Sequence, residues 1–301
     1  MMNLDKNTVG RIAPTPSGFL HVGNAYSFVL TWLLVRSSGG ELILRVDDID
    51  TARYRREYLE DIFETLDWLG LDMDKGPSSV REFEEKYSQS LRLDEYGEAL
   101  QTLKNEGRIF PCGCSRKRIK EDSVDGQYPG TCREKTVGFD NSQTAWRVKT
   151  EDRGILVEDA VSGELSVNLH EKMRDFVVRK KDGMPAYQLV SLVDDIREGV
   201  NLVVRGADLL ESTAAQLFLA EILALDSFRE ASFYHHPLLL DASGEKLSKS
   251  QGSLSLKYIR ENGGTAKSVF GKAAKSLGLA GNISTAGNLL SEFGVEKLPK
   301  I

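Results

Sequence analysis

The chain has 301 residues, 41% of them hydrophobic and 28% charged, which is enough to bury a substantial core and to divide it into two or three units. A net charge of −6 argues against a protein that coats nucleic acid, because such binding needs clustered Lys and Arg to displace counterions from many phosphates. No apolar run is long enough to span a bilayer, and the start MMNLDKNTVGR lacks the basic-then-apolar pattern of a secretory signal, so the cytoplasm is the expected compartment.

In chain order, residues 8–13 predict a short buried strand that runs into the turn-rich stretch Pro14-Thr15-Pro16-Ser17-Gly18, and His21 to Val35 has the apolar content of a buried helix. Glu41 to Val46 alternates as a second strand, and Leu59, Ile62, Phe63, Leu66 and Leu69 fall at helical spacing. This βαβα rhythm predicts a parallel sheet covered by helices. Leu91, Ala99, Leu100 and Leu103 predict a further helix. From about 107 the pattern changes to short β-rich pieces such as Trp146 to Lys149 and Phe176 to Arg179, broken by Gly, Asp and Asn, and reads as an insertion. From Tyr187 the first rhythm returns, with a strand near Leu202 to Val204, a helix from about Ser212 to Leu225 capped by its Ser, and a strand near Leu238 to Leu240. The expected architecture is α/β, a Rossmann-like parallel sheet split by a smaller β-containing lobe. Residues 1–106 and 187–250 form its two halves, 107–186 the lobe, and 251–301 a short helical end. Beyond position 250, seven Lys or Arg stand against three Glu; this local positive charge permits a modest phosphate-facing surface, although a solvated helix face is the blander reading.

Three places carry chemistry. The segment Arg11-Ile12-Ala13-Pro14-Thr15-Pro16-Ser17-Gly18-Phe19-Leu20-His21-Val22-Gly23-Asn24-Ala25 lies between a strand and a helix start. Backbone N–H groups and the positive end of a helix dipole meet phosphates there, and Gly23 keeps a side chain out of the nucleotide's path. Lys246-Leu247-Ser248-Lys249-Ser250, between Gly244 and Gly252, offers cations and hydroxyls on a segment suited to closing over a triphosphate. Arg11 and Arg205 are candidates for a carboxylate pocket, since guanidinium grips carboxylate bidentately and disfavours the neutral amide. Each has a bland counterpart: a histidine that only caps its helix, a solvated Lys/Ser turn, and an Arg205–Asp208 surface pair. Arg205 directly ends an apolar strand, at the edge where α/β proteins hold ligands, which favours the pocket. Asp48 and Asp50 would cap the following helix.

Over roughly residues 8–260 these segments resemble the catalytic core of class I glutamyl- and glutaminyl-tRNA synthetases. The Arg11-to-Ala25 segment is similar to their signature loop, with Asn24 where the wider class has another histidine. The Lys246-to-Ser250 segment resembles their Lys-Met-Ser-Lys-Ser loop, with Leu247 keeping the size and apolarity of Met. The resemblance implies ATP binding by His21, Gly23, Asn24 and Lys249, and catalysis by His21, Lys246 and Lys249. It implies glutamate binding by Arg11, Ala13, Thr15, Asp47, Tyr187 and Arg205, with Asp47 standing where the family has a longer Glu to hold the α-ammonium.

Cys112, Cys114 and Cys132 fall within one short window, which suits metal ligation or reduced thiols better than a disulfide framework. With Tyr128 they resemble the zinc cluster of some short members of the family, which implies a closed structural Zn²⁺ site of Cys112, Cys114, Tyr128 and Cys132. Only 51 residues follow Ser250, too few for the family's helical anticodon-binding region. That shortness and the Cys/Tyr cluster are similar to a branch that activates L-glutamate without tRNA and esterifies it onto queuosine in the anticodon of tRNA(Asp). The expected partners are therefore L-glutamate, ATP with Mg²⁺, and tRNA(Asp) bearing queuosine, and a monomer is expected. The alternatives are a tRNA(Glu)-charging enzyme lacking its tail, a small nucleotidyltransferase, and a non-catalytic paralogue that binds RNA or protein.

Overall fold

The parallel start of the sheet follows from two short apolar strands joined by a helix. In the computed structural model, which describes residues 4–123, 125–135, 138–139, 143–239, 255–280 and 283–301, β1 (Val9–Ile12) pairs in parallel with β2 (Glu41–Leu44). The loop Lys246 to Ser250 lies outside the described residues. Between β1 and β2 runs α1 (Val22–Ser38), packed so closely that a Cβ on Gly10 would come within 2.6 Å of Val35. In α2 (Arg56–Leu69), Leu59, Ile62, Leu66 and Leu69 are buried along one stripe, as their spacing predicts. Asp48 and Asp50 do not cap this helix. Its N-cap is Arg55, while Asp48 accepts from Ser88 and from the Gln89 N–H, and Asp50 pairs with Arg53 and Lys180. α3 (Leu93–Asn105) follows.

The stretch expected as an insertion contributes to two sheets. It holds β3 (Ile109–Cys112), β4 (Ala145–Val148), β5 (Gly154–Asp159), β6 (Gly163–Asn168) and β7 (Val177–Arg179). β3, β4 and β7 form a small antiparallel sheet of their own. The β5–β6 hairpin instead extends the main sheet, through parallel pairing of Asp159 with Phe233. The second half of the main sheet comprises α4 (Tyr187–Arg197), β8 (Leu202–Gly206), α5 (Leu210–Ile222) and β9 (Ser232–His236).

Two local expectations are corrected. α5 begins before Ser212, whose hydroxyl accepts from Gln188 instead of capping. Leu238 and Leu239 of the strand expected at Leu238 to Leu240 are not in a strand, and Leu240 lies outside the described residues; the strand here is β9, where His235 and His236 are buried and partnered and so occupy a central strand despite their polarity.

The main sheet runs β2-β1-β8-β9-β5-β6. From β1 the chain crosses towards β2, and from β8 it crosses the other way towards β9. β1 and β8 therefore flank the switch point beyond whose carboxyl ends open α/β sheets bind ligands. Alternation along the strands divides the core: Ile12, Leu44, Leu202, Val204 and Tyr234 face α1 and α2, whereas Val157, Val203 and Phe233 face α4 and α5. Arg205, two residues beyond Val203, thus falls on the α5 side. α6 (Lys267–Ser276) and α7 (Ala286–Glu292) pack against α1. Among the described residues, no helix is long and apolar enough to cross a membrane.

Candidate active site

The loop after β1 is laced to the chain after β2. Arg45 N–H donates to Ile12 O at 3.0 Å and Asp47 N–H to Pro14 O at 2.9 Å. The loop delivers His21 to the N-cap of α1, where Nδ1 accepts the Asn24 N–H at 3.3 Å and Asn24 Oδ1 accepts the His21 N–H at 3.0 Å. This reciprocal capping box accounts for what asparagine does in place of a histidine: it closes the first turn. Because Nδ1 accepts, the neutral ring carries its hydrogen on Nε2. Gly23 has a role inside the protein as well, since a Cβ there would sit 3.0 Å from the imidazole. His21, Gly23 and Asn24 line a cavity of about 200 Å³ with Ser27, Gly206 and His236, at the carboxyl ends of β8 and β9. The amide end of α1 makes this an anion-favouring place. His236 Nε2 lies 2.7 Å from Ser27 Oγ, and burial holds this imidazole below its ordinary pKa.

On the face of the sheet covered by α4 and α5, three arginines converge on Asp195 of α4. Arg11 Nε is 3.0 Å and Arg45 Nη1 is 2.5 Å from Oδ1, and Arg205 Nη2 is 3.9 Å from Oδ2. Burial works against the Asp195 charge, but the three guanidiniums outweigh it and hold the carboxyl below its ordinary pKa. Arg45 also meets Asp47 at 2.8 Å, Glu198 at 3.4 Å and Asp194 at 4.0 Å, so its charge is matched within the protein.

Arg205 is held differently. Its Nη1 donates to Thr213 Oγ1 at 3.0 Å and Gln216 Oε1 at 2.6 Å, whereas Nη2 is buried without a hydrogen-bond partner among the described residues. Burial, with Arg11 and Arg45 near, keeps this guanidinium below its ordinary pKa. Asp195 Oδ2, Gln216 Nε2 and Gln188 Oε1 are likewise buried and without hydrogen-bond partners among the described residues. Leaving buried donors and acceptors unmet is costly, and a zwitterion carrying both carboxylate and ammonium would satisfy both kinds.

Asp47 joins the same network, accepting from Arg45 Nε at 2.8 Å and Gln89 Nε2 at 3.1 Å, and burial raises its pKa. Tyr187, half-buried at the start of α4, is near enough to Arg205 to act on its charge. Ala13 is half-buried and Thr15 exposed on the loop; among the described contacts neither side chain hydrogen-bonds into the network.

In the small lobe, Cys112, Cys114 and Cys132 are buried free thiols whose Sγ atoms all lie within 4.8 Å of one another. Cys114 and Cys132 are 3.6 Å apart, near the roughly 3.8 Å that tetrahedral ligation with Zn–S bonds of about 2.3 Å demands. The Tyr128 hydroxyl oxygen accepts the Cys132 N–H at 2.7 Å, and Arg147 stacks 4.0 Å from the Tyr128 ring centroid. Burial opposes a Cys112 thiolate, yet the Cys114 N–H and Arg147 prevail and lower its pKa, while burial and the neighbouring sulfurs push Cys114 up to about 12. Three thiols this crowded cannot all ionise unless a cation joins them, so the donor set fits a thiophilic dication.

Residues 7–272 match the family model for tRNA synthetases class I (E and Q), catalytic domain. The chain belongs to this family. Among relatives of this class I synthetase is the glutamyl-Q tRNA(Asp) synthetase of Nitratidesulfovibrio vulgaris, 38% identical over 90% of this chain and 86% of the relative. The protein of that name from Cupriavidus metallidurans is 40% identical over 82% and 78%. The glutamate–tRNA ligase 2 of Syntrophus aciditrophicus is 32% identical over 99% of this chain but 64% of its own length. Among solved structures, a glutamate tRNA ligase from Elizabethkingia meningosepticum in complex with its amino acid has a TM-score of 0.78 at 25% identity, covering 97% of this chain and 66% of that one.

Sequence reasoning about this synthetase missed Asp195, Thr213 and Gln216, which hold its arginines, and Arg45, which shares Asp195 with Arg11. One signal was available. The doubled Asp194-Asp195 follows the apolar Leu192-Val193 in α4, and both side chains are fully buried, Asp194 bound to Arg92, Tyr96 and Gln89.

Proposed function

We propose that this class I synthetase, a cytoplasmic monomer, activates L-glutamate with ATP in the absence of tRNA and transfers the glutamyl group to queuosine in the anticodon of tRNA(Asp). The observation that carries the reading is the under-neutralised Arg205, whose buried Nη2 has no hydrogen-bond partner among the described residues, which shares Asp195 with Arg11, and whose neighbour in the strand, Gly206, lines the His21 cavity. Similarity to relatives named for this activity supports the acceptor, as does the share of their length that the chain spans.

In this reading Arg205 and Arg11 grip the side-chain carboxylate, Asp47 takes the α-ammonium and Tyr187 closes that end. His21, Gly23 and Asn24 cradle the phosphates of ATP, bound as its Mg²⁺ complex, and Lys246 and Lys249 neutralise the charge that departs with pyrophosphate. The glutamate α-carboxylate oxygen attacks the α-phosphorus in line, forming the mixed anhydride. A hydroxyl of queuosine then attacks the glutamyl carbonyl carbon, and AMP leaves. Cys112, Cys114, Tyr128 and Cys132 would hold a structural Zn²⁺, which shapes the small lobe and takes part in no step.

The test is ATP–pyrophosphate exchange with glutamate, glutamine or aspartate, with and without tRNA, followed by transfer to tRNA(Asp) with and without queuosine. Exchange with glutamate alone and without tRNA, and transfer only to the queuosine form, is the expected result. Strict dependence of exchange on tRNA, or charging of tRNA(Glu), would replace this reading. Elemental analysis of the purified protein should find one zinc per chain, and a zinc-free, folded protein would remove the metal.

A further inference from the structure

Three buried side chains lie behind Arg205 and connect it to the inserted hairpin. Asp159 ends β5, His235 lies on β9 and Thr213 on α5, and His235 and Thr213 are wholly inaccessible to solvent. Asp159 Oδ1 accepts the N–H groups of Val161 and Ser162 at 3.0 and 2.7 Å. Its Oδ2 accepts the His235 N–H at 2.7 Å and lies 3.0 Å from His235 Nδ1. A carboxylate can only accept, so the hydrogen of the neutral ring sits on Nδ1 and leaves Nε2 as an acceptor. Thr213 Oγ1 is 2.8 Å from that nitrogen, closer than its other acceptor, Leu209 O, at 3.3 Å. Its hydroxyl hydrogen therefore goes to His235, and its lone pairs are left for Arg205 Nη1 at 3.0 Å. Strand alternation brings the groups together: Arg205 shares a face with Val203 and His235 with Phe233, and both faces are covered by α5, where Thr213 and Gln216 stand one turn apart.

From this chain we infer that Asp159 and His235 are positioning residues for the amino-acid substrate. They orient the Thr213 hydroxyl so that Nη1 of Arg205 is fixed from behind and Nη2 is left for the substrate carboxylate. The inference rests on the glutamate-activating function proposed above. It makes the hairpin that interrupts the two halves of the sheet a part of the pocket's construction.

The experiment is ATP–pyrophosphate exchange by the full chain, with glutamate and ATP varied separately. Thr213→Val, which keeps the shape and loses the hydroxyl, and Asp159→Asn should each raise the KM for glutamate about tenfold while the KM for ATP stays within about twofold. Thr213→Ser, which restores the hydroxyl, should return the glutamate KM to within about twofold of the wild type. Equal rises in both KM values, or a glutamate KM unchanged in Thr213→Val, overturns the inference. Thermal unfolding checks that each variant is folded, and should Asp159→Asn fail, the Thr213 pair decides. Absence of glutamate-dependent exchange in the wild type would instead sink the functional reading and this inference with it, whereas an active wild type with indistinguishable Val and Ser variants sinks the inference alone.

Discussion

Two buried arginines in one network are treated in opposite ways. Arg45 has Asp47, Asp194, Asp195 and Glu198 within 4.0 Å. Arg205 is met by the neutral Thr213 and Gln216, with Asp195 at 3.9 Å. Both are almost completely shielded from water, so exposure does not distinguish them; what distinguishes them is how far their charge is answered. A cation answered four times is scaffold, because a further anion would meet repulsion there. A cation answered once, with a donor to spare, is where an incoming carboxylate gains most.

Substitution at each arginine probes that contrast. Arg45→Met should have the largest effect, since it strands several buried carboxylates; a loss of about 3–5 kcal/mol in unfolding free energy is expected from urea titration. A variant as stable as the wild type would show that Arg45 is not the hub. Arg205→Ala should cost less stability, as Asp195 keeps Arg11 and Arg45, but should weaken glutamate by about 2–3 kcal/mol, roughly 30- to 150-fold in KM, with ATP little changed. Equal effects on both substrates would erase the difference between scaffold and receptor.

The smallest effect is at the rim of the scaffold. Burial pushes Glu198 up to about 7, Arg45 opposing and Asp194, Asp195 and Asp47 adding to it. The folded state thus holds this proton more tightly than the unfolded chain, whose ordinary value is 4.5. Its contribution to stability is full below that lower value and declines as pH rises to about 7. Glu198→Gln should flatten this decline in melting temperatures measured from about pH 5 to 8, and an unaltered slope would mean that Glu198 is ionised throughout.

The residues gathered near the switch point, His21, Gly23 and Asn24 around one cavity and Arg11 and Arg205 around Asp195, were singled out in the sequence by their residue types and positions. A histidine and glycine at a strand–helix junction and an arginine ending an apolar strand are patterns that suit ligand binding, although His21 also caps its helix. The supports were not legible. Thr213 and Gln216 resemble ordinary helix residues until strand alternation places Arg205 above them, and Arg45, just beyond the end of β2, gave no sign of its four partners. The fold behaved similarly. α2 announced itself through Leu59, Ile62, Leu66 and Leu69, whereas β9 was hidden because two of its five residues are histidines, and the apolar Leu238 and Leu239 beyond it line the His21 cavity instead. The hairpin's attachment to the main sheet depends on one long-range pairing, of Asp159 with Phe233, which no local pattern encodes.

The helix that carries His21 has apolar neighbours on nearly every side. Ala25, Tyr26 and the run from Phe28 to Val35 are all buried, partly beneath α6 and α7, and the Tyr26 hydroxyl donates to Ser276 Oγ at 2.8 Å. A rod wedged in this manner resists rolling and sliding, so the end that carries His21 presents a surface already set for whatever enters its cavity. Little of a ligand's affinity would then be consumed in arranging the receiving surface. A cut through residues 267–301 would loosen this rod from behind and, on the function proposed above, would weaken ATP binding, although none of the described residues there lines the His21 cavity.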